Sequence, residues 1–143
     1  MLGRIVYVSR ATPGLAMTDV YDIIRVAHAR HGVERLSGAL IFLDGWFAQI
    51  LEGDAPQLEE TFVRIRHDPR HEAITLRMRA TAFCRLFPGE AMALRGCGDI
   101  DPHLSAEFGY SAGFPIDIFP ADALVEFVTR ACTRHRDRRM WSA

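Results

Sequence analysis

Two polar side chains interrupt strand-like runs that are otherwise apolar. Tyr7 stands in the segment IVYVS and Gln49 in the segment FAQIL. Alternate residues of a strand point the same way, so Tyr7 shares a face with Ile5 and Ser9, and Gln49 shares one with Phe47 and Leu51. A buried polar group without a partner costs about 1–3 kcal/mol, so Gln49 needs polar partners. Two interpretations stay open: a mutual Tyr–Gln hydrogen bond with backbone contacts, or a polar ligand bound beside the pair.

Other residues could form the walls and the mouth of such a pocket. Two predicted helices carry apolar stripes, which are typical of an ordinary core as well as of a cofactor slot. The stripe residues are Val20, Ile23, Ile24 and Ala27 in the first helix and Phe62 and Ile65 in the second. Toward the end of the second helix, Arg64, Asp68 and Arg70 could contact a phosphate, ribose or carbonyl group. They could equally be solvated charges.

The sequence gives little support for phosphate-loop, dinucleotide or metal chemistry. It contains neither the GxxxxGK phosphate loop nor the GxGxxG dinucleotide motif. His67 and His71 are four residues apart, as metal ligands on a helix can be, but Pro69 should end the helix between them. We therefore expect no metal site here. The 3 cysteines are widely spaced and predict neither a disulfide framework nor a zinc site.

Length and composition indicate one globular domain. The chain has 143 residues, of which 49% are hydrophobic and 24% charged. No apolar run is long enough to cross a bilayer, and no signal core follows the N-terminus, so we expect a cytosolic protein without membrane partners. The formal net charge is −1, and all 17 basic residues are arginine. Without a basic excess, nucleic acid is not an expected partner.

The chemistry-bearing residues need a sheet to position them. Strands are predicted at residues 4–9, 36–43, 46–52, 73–82 and 90–94. Helices are predicted from Thr18 toward Gly32, from an Asp54 cap to about Asp68, at residues 101–108 and at 120–135. The order βαββαββ predicts an α+β, ferredoxin-like fold with two helices on one sheet face. Two C-terminal helices, or a partner subunit, should cover the other face. We expect a core at residues 1–96 and a helical extension at 97–143.

These pieces resemble the BLUF domains, blue-light sensors that hold a flavin. The matching segments follow the family's order with near-family spacing over residues 4–95. They are IVYVSR (5–10), LSGAL (36–40), FAQILEG (47–53), IRHDPRH (65–71) and residues 87–92. The pattern FxQxLEG followed by DxRH is the most specific part. The tail is similar to that of short members that lack a fused output domain.

The resemblance implies a non-covalently bound flavin, FAD with FMN as the alternative. Tyr7 corresponds to the family's electron-donating tyrosine, and Gln49 to the switching glutamine between that tyrosine and the ring. After excitation, Tyr7 would lose an electron and a proton, and the pair would recombine with Gln49 rearranged and absorption shifted to the red. Met92 corresponds to a methionine that would relay the change to the sheet. The implied cofactor-binding set is Tyr7, Ile23, Ile24, His31, Ser37, Gln49, Arg64, Asp68, Arg70, His71 and Met92.

Two positions depart from the family pattern. His31 stands where the family usually has an asparagine whose amide brackets the flavin's carbonyl and ring N–H. One imidazole nitrogen cannot present an adjacent donor and acceptor as an amide does. Glu90 stands where many members carry tryptophan. Both changes bear on flavin affinity and on the lifetime of the lit state, and neither touches the Tyr7–Gln49 pair.

The resulting hypothesis is a blue-light photoreceptor that is not itself an enzyme. It would signal to a downstream protein through the C-terminal helices and their arginine cluster, and would form a homo-oligomer, a dimer or larger. The cluster consists of Arg130, Arg134, Arg136, Arg138 and Arg139. One alternative is a flavin-less BLUF-like module with a structural or regulatory role. Another is an acylphosphatase-like enzyme on the same layers, for which the loop at residues 10–14 is a poor match. A nucleic-acid binder on this fold would need exposed sheet aromatics and a basic face.

Overall fold

A computed structural model describes residues 1–16, 18–19, 22, 35–88, 93–110, 112–114 and 120–142, with side chains up to residue 132 in the last range. The strands are β1 (Leu2–Ala11), β2 (Ser37–Leu43), β3 (Trp46–Asp54), β4 (His71–Thr81) and β5 (Ala93–Arg95). The helices are α1 (Ala55–Arg66), α2 (Pro102–Phe108) and α3 (Ala121–Ser142), and a short 3-10 turn spans Cys97–Asp99. The first predicted helix lies almost wholly outside the described residues.

The five strands form one mixed sheet in the order β4-β1-β3-β2-β5. β1 is antiparallel to both β3 and β4, and β2 is antiparallel to β3 and parallel to β5. β3 therefore lies between β1 and β2, as a ferredoxin-like order requires, and the predicted fold class is confirmed. The β2–β3 hairpin turns at Asp44 and Gly45, whose φ angles of 49° and 81° are the left-handed values that an Asp-Gly turn favours.

The ends of the helices differ in part from the prediction. Asp54 is the N-cap residue of α1, but its side chain makes no capping hydrogen bond. Its Oδ1 instead accepts from the N-terminal amino group at 3.1 Å. The helix ends at Arg66, and the chain enters β4 at His71, two residues before the predicted start of that strand. In the described part of the chain, no helix has both the length and the apolar character needed to cross a bilayer.

Two apolar layers sandwich the sheet. The α1 face packs the sheet against α1, and its buried residues are Ile5, Tyr7, Leu36, Leu40, Phe47, Leu51, Leu58 and Phe62. The opposite face, called the α3 face here, packs against the C-terminal segment. Its sheet residues include Val6, Val8, Ala39, Ile41, Ala48 and Ile50, and its helix residues include Leu104, Leu124, Phe127 and Val128. The predicted covering of this second face by C-terminal helices is thus observed, although the boundary at residue 96 stays a prediction.

Candidate functional site

Tyr7 and Gln49 meet on the α1 face. They are direct partners across the β1–β3 ladder, and the Tyr7 hydroxyl donates a hydrogen bond to Gln49 Oε1. Tyr7 is 3% exposed and Gln49 is 6% exposed. The predicted proximity of these two side chains is confirmed, and it follows from strand alternation combined with the β1–β3 register. Their photochemical roles stay predictions.

The surroundings keep the Tyr7 phenol protonated. Burial, and to a lesser extent the negative charge of Asp68, raises the pKa of Tyr7 far above its ordinary value of 10.0. The Tyr7 ring packs against Phe62 of α1 at a centroid distance of 5.7 Å. A neutral phenol can donate its proton, so the hydrogen bond runs from Tyr7 to the Gln49 carbonyl oxygen.

A second polar chain, Ser9–His71–Ile65, lies beside this pair. His71 Nε2 is 2.6 Å from the carbonyl oxygen of Ile65, so Nε2 carries a proton and donates. Nδ1 of the same ring is 2.7 Å from the hydroxyl of Ser9, which is fully buried. The ring also approaches Tyr7 edge-on at 6.1 Å. His71 therefore ties β4 to β1 and to the end of α1.

Ser9 is a site residue that the sequence reasoning did not assign. The signal was present, because Ser9 lies two positions after Tyr7 on the same strand face. Its partner is 62 residues away in the chain, so spacing could not identify the contact. His67, in contrast, contacts the carbonyl of Val63 through Nδ1 at 2.7 Å. Across the described ranges, no group of three or more His, Cys, Asp or Glu side chains could hold a metal ion.

A charged network lies next to His71. Arg70 contacts both carboxylate oxygens of Asp68, with Nε–Oδ1 at 2.9 Å and Nη2–Oδ2 at 2.6 Å. The hydrogen bond from Arg70 lowers the pKa of Asp68 and raises that of Arg70. Arg70 Nη1 also lies 3.5 Å from Asp22, which links this network to the first predicted helix. Arg64 donates to the Thr61 hydroxyl at 3.0 Å.

The structure does not bring Ser37 to this group of residues. Its side chain points to the α3 face, where the hydroxyl accepts from Arg85 at 2.7 Å and contacts Glu52 at 3.3 Å. The reason is strand parity, since Leu36 and Leu40 occupy the α1 face and Ser37 lies between them. The other implied positions, Ile23, Ile24, His31, Glu90 and Met92, lie outside the described residues.

Residues 109–113 read GYSAG and so match the GxSxG spacing of a hydrolase nucleophile elbow. That motif requires a strand before the serine and a helix after it. Here Gly109 instead ends helix α2 in a left-handed conformation with a φ of 73°. The structural context is therefore not that of a nucleophile elbow.

The residues of the α1 face fit the flavin that the resemblance predicts. A flavin ring has an apolar body and one edge of carbonyl and N–H groups. Tyr7 and Gln49 are buried polar groups set within an apolar layer, and the Gln49 amide can match either kind of ring group. Beside them lies the Arg70 guanidinium, a kind of group that suits a phosphate, held here in an ion pair with Asp68.

Comparison with known proteins supports the same assignment. The chain matches the family described as BLUF, sensors of blue-light using FAD, over residues 2–93. Photoactivated adenylate cyclase subunit beta from Euglena gracilis is 34% identical over 89 residues, which cover 62% of this chain and 10% of that protein. The chain thus spans only about a tenth of the length of this relative.

The fold of this chain is also similar to those of solved structures. The photo-activated state of BlsA superposes with a TM-score of 0.81 at 21% identity, covering 92% of this chain and 95% of that one. Klebsiella pneumoniae BlrP1, solved with FMN and cyclic diGMP, gives a TM-score of 0.71 at 26% identity, covering 90% of this chain and 34% of that one. Since the family match spans well over half of the sequence, the chain belongs to the BLUF family of flavin-binding blue-light sensors.

Proposed function

We propose that this protein senses blue light through the Tyr7–Gln49 pair on its α1 face. The observation that carries the proposal is the hydrogen bond between these two buried side chains, which are direct partners on neighbouring strands. Among the residues that the structure describes, no other polar pair on this sheet face combines an oxidisable ring with an amide that can both donate and accept. We therefore assign the light-driven change of hydrogen bonds to this pair.

The proposed cofactor is FAD, with FMN as the alternative. The family description specifies FAD, whereas the solved Klebsiella pneumoniae relative contains FMN. Arg64, Asp68, Arg70 and His71 would lie near the ring edge and the ribityl-phosphate chain, where the two arginines supply cations. From the first predicted helix, Ile23, Ile24 and His31 would contact the ring, and Met92 would lie near it in the last strand. Ser37 is not part of this proposal.

The chain's own residues can perform the switching step. When bound, the flavin supplies absorption of blue light and a strong oxidant in its excited state. Tyr7 holds a proton on a neutral hydroxyl that is already directed at Gln49. Rotation of the Gln49 amide exchanges its oxygen for its NH₂ group, which reverses the donor–acceptor pattern seen from Tyr7. Because β1 and β3 fix both backbones, this reversal needs no movement of the strands.

The output would pass to a partner protein and not to a reaction catalysed by this chain. We propose the α3 face and the arginine-rich end of α3 as the output surface, because the α3 face lies on the side of the sheet opposite Tyr7. A homo-oligomer, a dimer or larger, and a cytosolic location are parts of the same proposal. The photoactivated adenylate cyclase relatives are far longer than this chain, and their cyclase activity is not part of this proposal.

One absorption experiment tests the proposal. Protein produced with excess flavin should be yellow, and blue light should cause a red shift that reverses in the dark. Tyr7→Phe should keep the colour and lose the red shift. Tyr110→Phe is the matched control, since this tyrosine is also buried but lies on the α3 face, and it should behave as wild type. A colourless protein would favour the flavin-less interaction module, and a Tyr7→Phe variant that still shifts would contradict the assigned role.

A further inference from the structure

Glu52 is a fully buried carboxylate at the end of β3, on the α3 face. Its Oε1 accepts from the Phe87 backbone N–H at 2.7 Å and lies 3.3 Å from the Ser37 hydroxyl. Its Oε2 accepts from the Leu86 backbone N–H at 3.0 Å and from the Arg4 guanidinium at 3.2 and 3.3 Å. Both oxygens therefore have at least two donors, and these come from β1, β2 and the segment after β4.

The segment after β4, residues 82–88, is fixed to the sheet mainly through this carboxylate and its neighbours. Arg85 donates to the Glu52 carbonyl at 3.1 Å and to the Arg35 carbonyl at 2.8 Å. Arg4 donates to the Cys84 carbonyl at 2.9 Å. Phe87 is 4% exposed and packs into the α3-face core. This segment leads within a few residues into β5.

The charge balance makes this cluster dependent on Glu52. A buried carboxylate is stable only when cations and hydrogen bonds replace its water, and here the Arg4 guanidinium, the Ser37 hydroxyl and two backbone N–H groups do so. If the charge of Glu52 is removed, the Leu86 and Phe87 N–H groups lose a strong acceptor. Charge-assisted hydrogen bonds are about twice as strong as neutral ones, so the segment should then open more often.

Gln49 and Glu52 lie three residues apart on β3, and strand alternation places them on opposite faces. We propose that Glu52 is a positioning residue for the light response, holding residues 82–88 against the strand that carries Gln49 and thereby slowing the return from the light-shifted state. This role rests on the proposed function. In this role, Glu52 connects β3, which carries Gln49 on the α1 face, to the segment that precedes β5.

Amide hydrogen exchange tests the link directly, with flavin-loaded protein kept in the dark. Glu52→Gln should speed exchange at the Leu86 and Phe87 amides by about tenfold, the change expected for a lost hydrogen bond to a charged group. Glu59→Gln is the matched control, because Glu59 pairs with Arg79 at 2.6 Å in an exposed ion pair away from this segment. The control should leave both amides unchanged.

Photocycle kinetics then test the role in the light response. Glu52→Gln should keep the red shift and recover in the dark at least about threefold faster than wild type, as expected when charge-assisted contacts are lost. Arg85→Gln should also speed dark recovery. It serves as the test variant if Glu52→Gln does not fold. Leu104→Ala supplies a variant of reduced stability outside the cluster, and its recovery should match wild type.

The outcomes separate the two proposals. Unchanged or slower recovery in both Glu52→Gln and Arg85→Gln overturns the role of Glu52 and leaves the photoreceptor assignment intact. Equal acceleration in Leu104→Ala also overturns it, because general loss of stability would then explain the effect. A wild-type protein with bound flavin but no red shift overturns the proposed function itself, whatever the exchange at Leu86 and Phe87.

Discussion

The Tyr7–Gln49 hydrogen bond should be measurable as a coupling free energy in a double-mutant cycle. Tyr7→Phe leaves the Gln49 oxygen without its phenolic donor, and Gln49→Met leaves the buried Tyr7 hydroxyl without that acceptor. Each single change should cost about 1–3 kcal/mol, because an unsatisfied buried polar group loses its hydration without compensation. The double variant removes both partners in similar volumes. Its cost should fall short of the sum of the single costs by about 1–2 kcal/mol.

Urea unfolding in the dark at one fixed flavin concentration measures all four free energies. A loss of 1 kcal/mol corresponds to about 4 °C in melting temperature for a chain of this size, so thermal scans give an independent check. Tyr110→Phe combined with Gln49→Met is the control cycle, because the two side chains lie on opposite sheet faces and should be additive. If the Tyr7 and Gln49 effects were additive within about 0.5 kcal/mol, the hydrogen bond would not be the link between them.

Three further outcomes follow from particular contacts. Gly113→Ala should destabilise the chain by about 1–3 kcal/mol, because Gly113 has a φ of 97° and an added Cβ would clash with the Trp46 indole; a melting temperature equal to wild type would contradict this packing. The pKa of Asp68 is lowered in the folded protein, so its contribution to stability is complete above its unfolded pKa and is lost as the pH falls through the folded pKa. Asp68→Asn should therefore weaken the pH dependence of the unfolding free energy below about pH 4. If that dependence is unchanged, the Asp68–Arg70 pair does not contribute to stability as argued. Sedimentation should show a dimer or a larger oligomer at high concentration, and a monomer throughout would refute the predicted self-association.

Strand alternation made Tyr7 and Gln49 predictable. Each polar residue sits in a run with clear neighbours on its own face, and the ferredoxin-like order places β1 beside β3. The sheet face of Ser37 could not be predicted, for the complementary reason. β2 is apolar on both faces, so its sequence carries no alternation from which the direction of Ser37 could be read.

The alternation of apolar and polar residues could not predict irregular features of the strands. The β1–β4 pairing shifts register between Val6 and Tyr7, where Met78 and Leu76 are the successive partners. Such a bulge puts an additional residue on one strand, and no composition signal marks it. The cap at Asp54 shows a similar limit. The residue type predicted the position of the helix start, but a nearby amino terminus competes for its carboxylate.

Glu52 shows why burial is harder to infer than strand position. A charge beside an apolar run reads most simply as the exposed end of a strand, because lone acidic residues are rarely buried. What changes the outcome is the arrival of Arg4, the Ser37 hydroxyl and two backbone N–H groups from segments 15 to 48 residues away. Those donors exist only once the sheet has formed, so the burial of Glu52 is a consequence of the fold. Gln49 and Glu52 thus belong to two hydrogen-bonded polar clusters on opposite faces of the same strand. The backbone of β3 connects the two clusters directly, so a change in the position of either side chain bears on the strand that holds the other.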